Sequence, residues 1–222
     1  MGKEIDLLVD YPKSKRNLAE RQSAKQEDKE NIVSIVRQFG KEFFDGDREN
    51  GYGGYYYNSR YWEPVVPLLQ KHYGLTEKSK VLDVGCAKGF LLYDLTRLIP
   101  GITVAGLDIS QYAIDNSKED VQPFLKVGDA AKLPYENDSF DLVLSINTVH
   151  NLNEEGCRRS LLEIERVGRK DKFITVDAYR NKEEKDRMDI WNLTAQTYMS
   201  VDEWKVYFED IGYSGDYYWF FP

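Results

Sequence analysis

From Lys80 onward the chain repeats one unit, a short apolar run followed by a helical stretch, and that alternation leaves few folds open. The runs KVLDV, TVAGL, FLKV, FDLVLSI and KFITV are nearly continuously apolar. Strands buried on both faces need that content, whereas a sheet with one wet face would alternate. Between the first two runs, Leu91, Leu92, Leu95, Leu98 and Ile99 share one side of a helix that Pro100-Gly101 ends. A second helix is predicted after Ser110 and a third from about Asn153 to Val167. Such a series packs as a parallel sheet with right-handed crossovers. The expected fold is therefore α/β: a doubly wound, mostly parallel sheet of about six to seven strands with helices on both faces. A helical segment is expected near Glu183 to Tyr198. Ser200 and Glu203 then form a capping box ahead of the stripe Trp204, Tyr207, Phe208 and Ile211, and DYYWFF reads as the last strand.

The first third of the chain has a different pattern. Residues 1 to 28 are polar and interrupted by Pro12. Ile32, Ile35, Val36, Phe39 and Phe43 then fall on one face of a predicted helix. GYGGYYYNSRYW, residues 51 to 62, holds five tyrosines and three glycines with no period that a helix or strand could bury, and is expected as a loop. EPVVPLLQKHYGL resumes as a helix, with Pro64 and Pro67 in its first turn and Gly74 past its end. Residues 1–77 thus read as a helical cap with an aromatic lid, and residues 78–222 as the sheet domain.

Ligands of an open parallel sheet sit beyond the carboxyl ends of its strands. The first such turn is VLDVGCAKGF, where Gly85 and Gly89 allow a sharp bend and the next helix offers free N–H groups. Asp108 follows nineteen residues after Gly89, at the end of the second strand, where an acid accepts hydrogen bonds from the two hydroxyls of a ribose. Asp129, with a small Ala130 after it, closes the third strand, and Asn147 and His150 follow the fourth. Dinucleotide binders prefer G-x-G-x-x-G, but Cys86, Ala87 and Lys88 fill the interval between the two glycines here, which disfavours NAD.

With these four turns in order, the chain resembles the Rossmann-like S-adenosylmethionine-dependent methyltransferases. VLDVGCAKG is similar to their first motif, LDIS to the ribose-binding acid, GDAAKLPY to the adenine-contacting turn and SFDLVLSINTVHNL to the fourth-strand motif. The resemblance implies S-adenosyl-L-methionine as cofactor. It places Asp83, Gly85, Cys86, Ala87 and Gly89 around the methionine portion, Asp108 on the ribose, Ile109 on the adenine, Asp129 and Ala130 at the adenine amine, and the Asn147 backbone nearby. Lys88 departs from the family pattern, and a single last strand stands where the family usually has a final pair.

Methyl transfer from a sulfonium needs alignment and exclusion of water more than proton chemistry, although a hydroxyl or ammonium acceptor also needs a base. His150 is the candidate base. Tyr179 and Arg180 follow the fifth strand, and Arg180 suits an anionic acceptor. Tyrosine faces attract a sulfonium, so Tyr52, Tyr55, Tyr57 and Arg60 are candidate lid residues over the site, with about half of the lid's rings expected to pack beneath the helices instead.

The partner expected is a small polar metabolite methylated on oxygen or nitrogen. The alternatives are a protein methyltransferase or a non-catalytic cofactor-binding partner subunit. Thirty Lys and Arg against 38 Asp and Glu give a net charge of −8, which disfavours nucleic acid and anionic membrane; KSKR, residues 13–16, is the one short basic run. Two histidines and two separated cysteines leave no metal cluster, and two cysteines with no leader-like N-terminus suit the cytoplasm. Oligomeric state is not legible.

Overall fold

The computed structural model describes residues 2–12 and 30–221; the KSKR run lies outside the described residues. Seven strands form one sheet in the order β3-β2-β1-β4-β5-β6, with β7 also on β5, and every pairing is parallel. The strands are β1 (Lys80–Val84), β2 (Thr103–Asp108), β3 (Leu125–Val127), β4 (Phe140–Ile146), β5 (Gly168–Tyr179), β6 (Met199–Ser200) and β7 (Asp216–Phe220). The order reverses at β1 and β4, which is where such a sheet opens a crevice.

Alternate strand residues feed two separate cores, as the twofold period of a strand requires. Val81, Val104, Leu142, Leu144 and Phe173 pack on one face with Leu69, Leu92 and Leu95. Leu82, Val84, Leu107, Val143 and Ile174 pack on the other with Leu161, Ile164, Trp204 and Phe208. The first face is covered by α3 (Val66–Tyr73) and α4 (Phe90–Leu98), the second by α6 (Glu154–Val167) and α8 (Val201–Ile211). The chain also forms α1 (Lys41–Asp45) and α2 (Ser59–Trp62) ahead of these, and α5 (Gln111–Asp115) and α7 (Lys182–Trp191) among them. The Ser200–Glu203 capping box is present, and Gly74 ends α3 in the left-handed conformation at φ 63°. No helix among the described residues is long and apolar enough to cross a membrane.

Four local expectations need correction. The helix through Ile32 and Phe43 is two pieces: residues 30–36 are helical, Phe39 turns left-handed at φ 50°, and α1 starts afresh after Gly40. The break lets the Phe39 carbonyl accept the Ser110 hydroxyl, a tertiary bond that local periodicity does not reveal. The tyrosine stretch is not all loop, because Asn58 caps α2 by accepting from the Arg60 amide at 3.1 Å. Helix α7 stops at Trp191 instead of Tyr198, since the Asn192 side chain ties itself to Ala195 and the Gln196 and Thr197 amides both donate to the His150 carbonyl at 3.0 Å. Strand β6 arises from the same stretch and was not visible as a pattern.

Strand β7 pairs with β5 on one side, and its outer edge is not bare. The Tyr217 amide donates to Lys3 O and the Ile5 amide to Tyr217 O, both at 3.0 Å, and Glu4 bridges Tyr217 in parallel. The first residues of the chain thus pad the edge that a final strand pair would otherwise cover.

Candidate active site

The turn after β1 is fastened to the end of β2. The Gly85 and Cys86 amides both donate to Leu107 O, at 2.7 and 3.1 Å, and the Ala87 amide to Asp108 Oδ2 at 2.7 Å. Gly85 and Ala87 take positive φ, 85° and 48°, and Gly89 at 72° begins α4. A side chain at Gly85 would also collide with Thr148, whose Oγ1 lies 2.0 Å from the Cβ position, so glycine is required twice over. Asp108 Oδ1 accepts the Ser110 amide at 2.9 Å. The Ile109 amide acts on the same carboxylate, which still keeps part of its acceptor capacity.

Asp83 stands next to Asp108, 5% exposed and with no hydrogen-bond donor among the described residues. Burial first, and the Asp108 charge second, push its pKa up to about 7. Burial raises Asp108 as well, against the pull of the amides it accepts. Beyond β3, Asp129 is exposed and shapes its turn by accepting the Ala131 amide at 2.8 Å, while Gly128 N donates to Asp108 O and Ala130 is buried. Beside Asp108, Ile109 presents an apolar side chain that is 57% exposed. Asn147, left-handed at φ 52°, accepts the Thr175 hydroxyl at its own Oδ1, 2.8 Å away.

The cap lies over this turn. Lys88, 4% exposed, reaches away from the two carboxylates to Asp45 at the end of α1, Nζ to Oδ2 2.6 Å. The same carboxylate accepts the Tyr112 hydroxyl at 2.6 Å and the Tyr55 amide at 2.9 Å. Burial works to raise Asp45, but these donors outweigh it and hold its carboxyl below the ordinary value. Tyr55 stacks on Phe90 at 5.0 Å, and its phenol is pushed far up by burial, with the Asp83 and Asp108 charges adding to the effect. Tyr57 donates to the buried Asp94 at 2.7 Å and contacts Phe90 and Tyr93 edge-on. Tyr52, 45% exposed, packs on Phe43 and Tyr55, and Arg60 lies on Tyr61. The structure therefore brings Tyr55 to the β1 and β2 ends, while Arg60 is engaged elsewhere. Asp45 and Tyr112 escaped the sequence reading because their partners are 43 and 67 residues away; the buried lysine in a strand-end turn was the available signal.

On the far side of the mouth, His150 is buried at the end of β4. Its Nδ1 accepts the Asp177 amide at 3.2 Å, which places the ring proton on Nε2, 3.6 Å from Asp177 Oδ1. Burial lowers its pKa, with the Asp177 charge opposing. Arg180 is committed to Glu184 and lies 4.2 Å over Phe221, and Tyr179 reaches Glu203, so neither side chain stands with His150.

These residues fit an adenosyl amino acid by the chemistry of their donors and acceptors. Two adjacent buried carboxylates pair with no lysine or arginine among the described residues and have acceptor capacity left for ribose hydroxyls and an ammonium group. The exposed Ile109 side chain offers an apolar face suited to a flat base.

Residues 75–220 match a family described as "Methyltransferase domain". A tRNA (carboxymethyluridine(34)-5-O)-methyltransferase of Arabidopsis thaliana is 30% identical over 145 residues, covering 64% of this chain and 33% of that protein. A sterol 24-C-methyltransferase of Gibberella zeae is 28% identical over 181 residues, covering 74% and 47%. The chain thus spans a third to a half of the length of these two relatives. The crystal structure of MccD protein superposes with a TM-score of 0.53 at 24% identity, over 65% of this chain and 68% of that one, a likeness of fold. The family match over most of the chain, on a parallel sheet whose strand ends gather two carboxylates and a glycine turn, identifies the protein as a member of the Rossmann-like, S-adenosylmethionine-dependent methyltransferases.

Proposed function

We propose that the enzyme methylates an oxygen or nitrogen atom of a small polar metabolite, in the cytoplasm, with residues 1–77 forming a helical cap that carries the aromatic lid and 78–222 holding the cofactor. The observation that carries this reading is the closed cap. Asp45, Tyr55, Lys88 and Tyr112 tie α1 and the tyrosine stretch across the β1 turn, and a lid of that kind favours an enclosed acceptor over a polymer laid in a groove.

S-adenosylmethionine supplies the electrophilic methyl group on its sulfonium. In this reading Asp108 takes the ribose hydroxyls, Asp83 the amino-acid ammonium, Ile109 and Ala130 the base, and the Gly85–Gly89 turn the amino-acid tail. Tyr55 excludes water from the reacting face. His150 is the candidate proton acceptor for a hydroxyl or ammonium group; because its Nδ1 is held by the Asp177 amide, it accepts a proton there only after the ring turns from β5.

The test is incubation with methyl-labelled donor and a cell extract split by size into metabolites, protein and RNA. Label is expected in the metabolite fraction. Label confined to protein or RNA would overturn the small-acceptor reading.

A further inference from the structure

A cavity of about 420 Å³ lies between the chain at residues 33–37 and the loop that follows α7, lined by Val33, Arg37, Asp189, Asn192, Gln196 and Tyr198 among others. One of its lining residues is bonded to the turn after β4. Gln196 donates its backbone amide to His150 O at 3.0 Å and its side chain to Asn151 O at 2.8 Å. One wall of the cavity is therefore hydrogen-bonded to the turn after β4 that carries the candidate base. The volume falls in the range that holds a small organic ligand, roughly 300 to 1,000 Å³.

The polar groups of the wall are largely satisfied among themselves. Asp189 accepts the Tyr198 hydroxyl at 2.6 Å and Lys185 Nζ at 3.0 Å. Asn192 spends both ends of its amide on Ala195. Arg37 is exposed and has no ion-pair or hydrogen-bond partner for its guanidinium among the described residues. Arg37 is thus the one cation lining the cavity among the described residues, and the one charged group there without a partner, since Asp189 is already met by Lys185 and Tyr198. A guanidinium with free, planar donors facing a cavity is suited to a carboxylate or phosphate group.

Resting on the methyltransferase reading above, we infer that this cavity is the acceptor pocket and that the acceptor is a small molecule bearing a carboxylate or phosphate group, held by Arg37. The loop after α7 and residues 33–37 position that group, which leaves the rest of the acceptor to reach toward His150. Arg180, the cation expected from the sequence to do this, is instead neutralised by Glu184.

The test separates an extract of metabolites by anion exchange before the reaction, then adds methyl-labelled donor and enzyme to the retained and unretained fractions. Labelled product is expected from the retained fraction. In Arg37→Gln the half-saturating amount of that fraction should rise at least ~10-fold, with Arg37→Lys recovering part of the loss, while affinity for S-adenosylhomocysteine stays within about twofold. Label arising only from the unretained fraction, or an Arg37→Gln enzyme with an unchanged acceptor requirement, overturns the inference and leaves the methyltransferase reading standing. Absence of label in every metabolite fraction overturns the small-acceptor reading itself.

Discussion

Asp83 is the residue whose environment makes the most distinct demand. An aspartate held near pH 7 by burial and by a neighbouring carboxylate binds a proton more tightly in the folded chain than in the unfolded one, where its value is the ordinary 3.8. Its contribution to stability is therefore fully present below about pH 4 and lost as pH rises through 7. Thermal melts of the ligand-free protein between pH 5 and pH 8 should show a midpoint that falls by several degrees as pH rises, and Asp83→Asn should flatten that slope. A variant that keeps the wild-type slope would show that Asp83 is not the group being titrated. An ammonium ligand has the opposite preference, since it binds the ionised carboxylate, so affinity for S-adenosylhomocysteine should weaken below pH 7 in wild type only.

At the scale of elements, the cap is latched by one half-buried carboxylate, to which the buried Lys88 reaches. Asp45 gathers Lys88, Tyr112 and the Tyr55 amide from three separate segments, so Asp45→Asn removes a charge-assisted bond and loosens α1 together with the tyrosine stretch. Hydrogen exchange at residues 41–57 is expected to speed up by about tenfold or more while the strands stay protected, because a lost buried pair costs a few kcal/mol locally. Unchanged exchange there would mean that the rings alone hold the cap. Tyr57 belongs to the packing half of the lid: its hydroxyl satisfies Asp94, whose other oxygen has no partner among the described residues, so Tyr57→Leu should lower stability more than Tyr55→Leu does. The elements themselves were legible where period and caps agree, as in α6 with Asn153 at its start and α8 with its capping box. They were misread where a distant bond overrides the local pattern, as at Phe39 and after Trp191.

For the whole molecule, sequence order alone was enough to foresee a parallel sheet whose strand-end turns gather at one end, the end proposed here for the cofactor. It could not reveal the cavity formed where residues 33–37 meet a loop some 155 residues later, nor the padding of β7 by Lys3–Ile5. The large-scale claim is that Asp108, Asp83 and the Gly85–Gly89 turn form one preorganised cradle for an adenosyl amino acid. Calorimetric titration of S-adenosylhomocysteine into the purified protein tests it most directly. Saturable heat with a dissociation constant of about 100 μM or tighter is expected, and in a folded Asp108→Ala protein an affinity lower by about 150-fold or more, the loss of two hydrogen bonds to a charged group at about 1.5 kcal/mol each. No heat from the wild-type protein, or an unchanged constant in the variant, would contradict it.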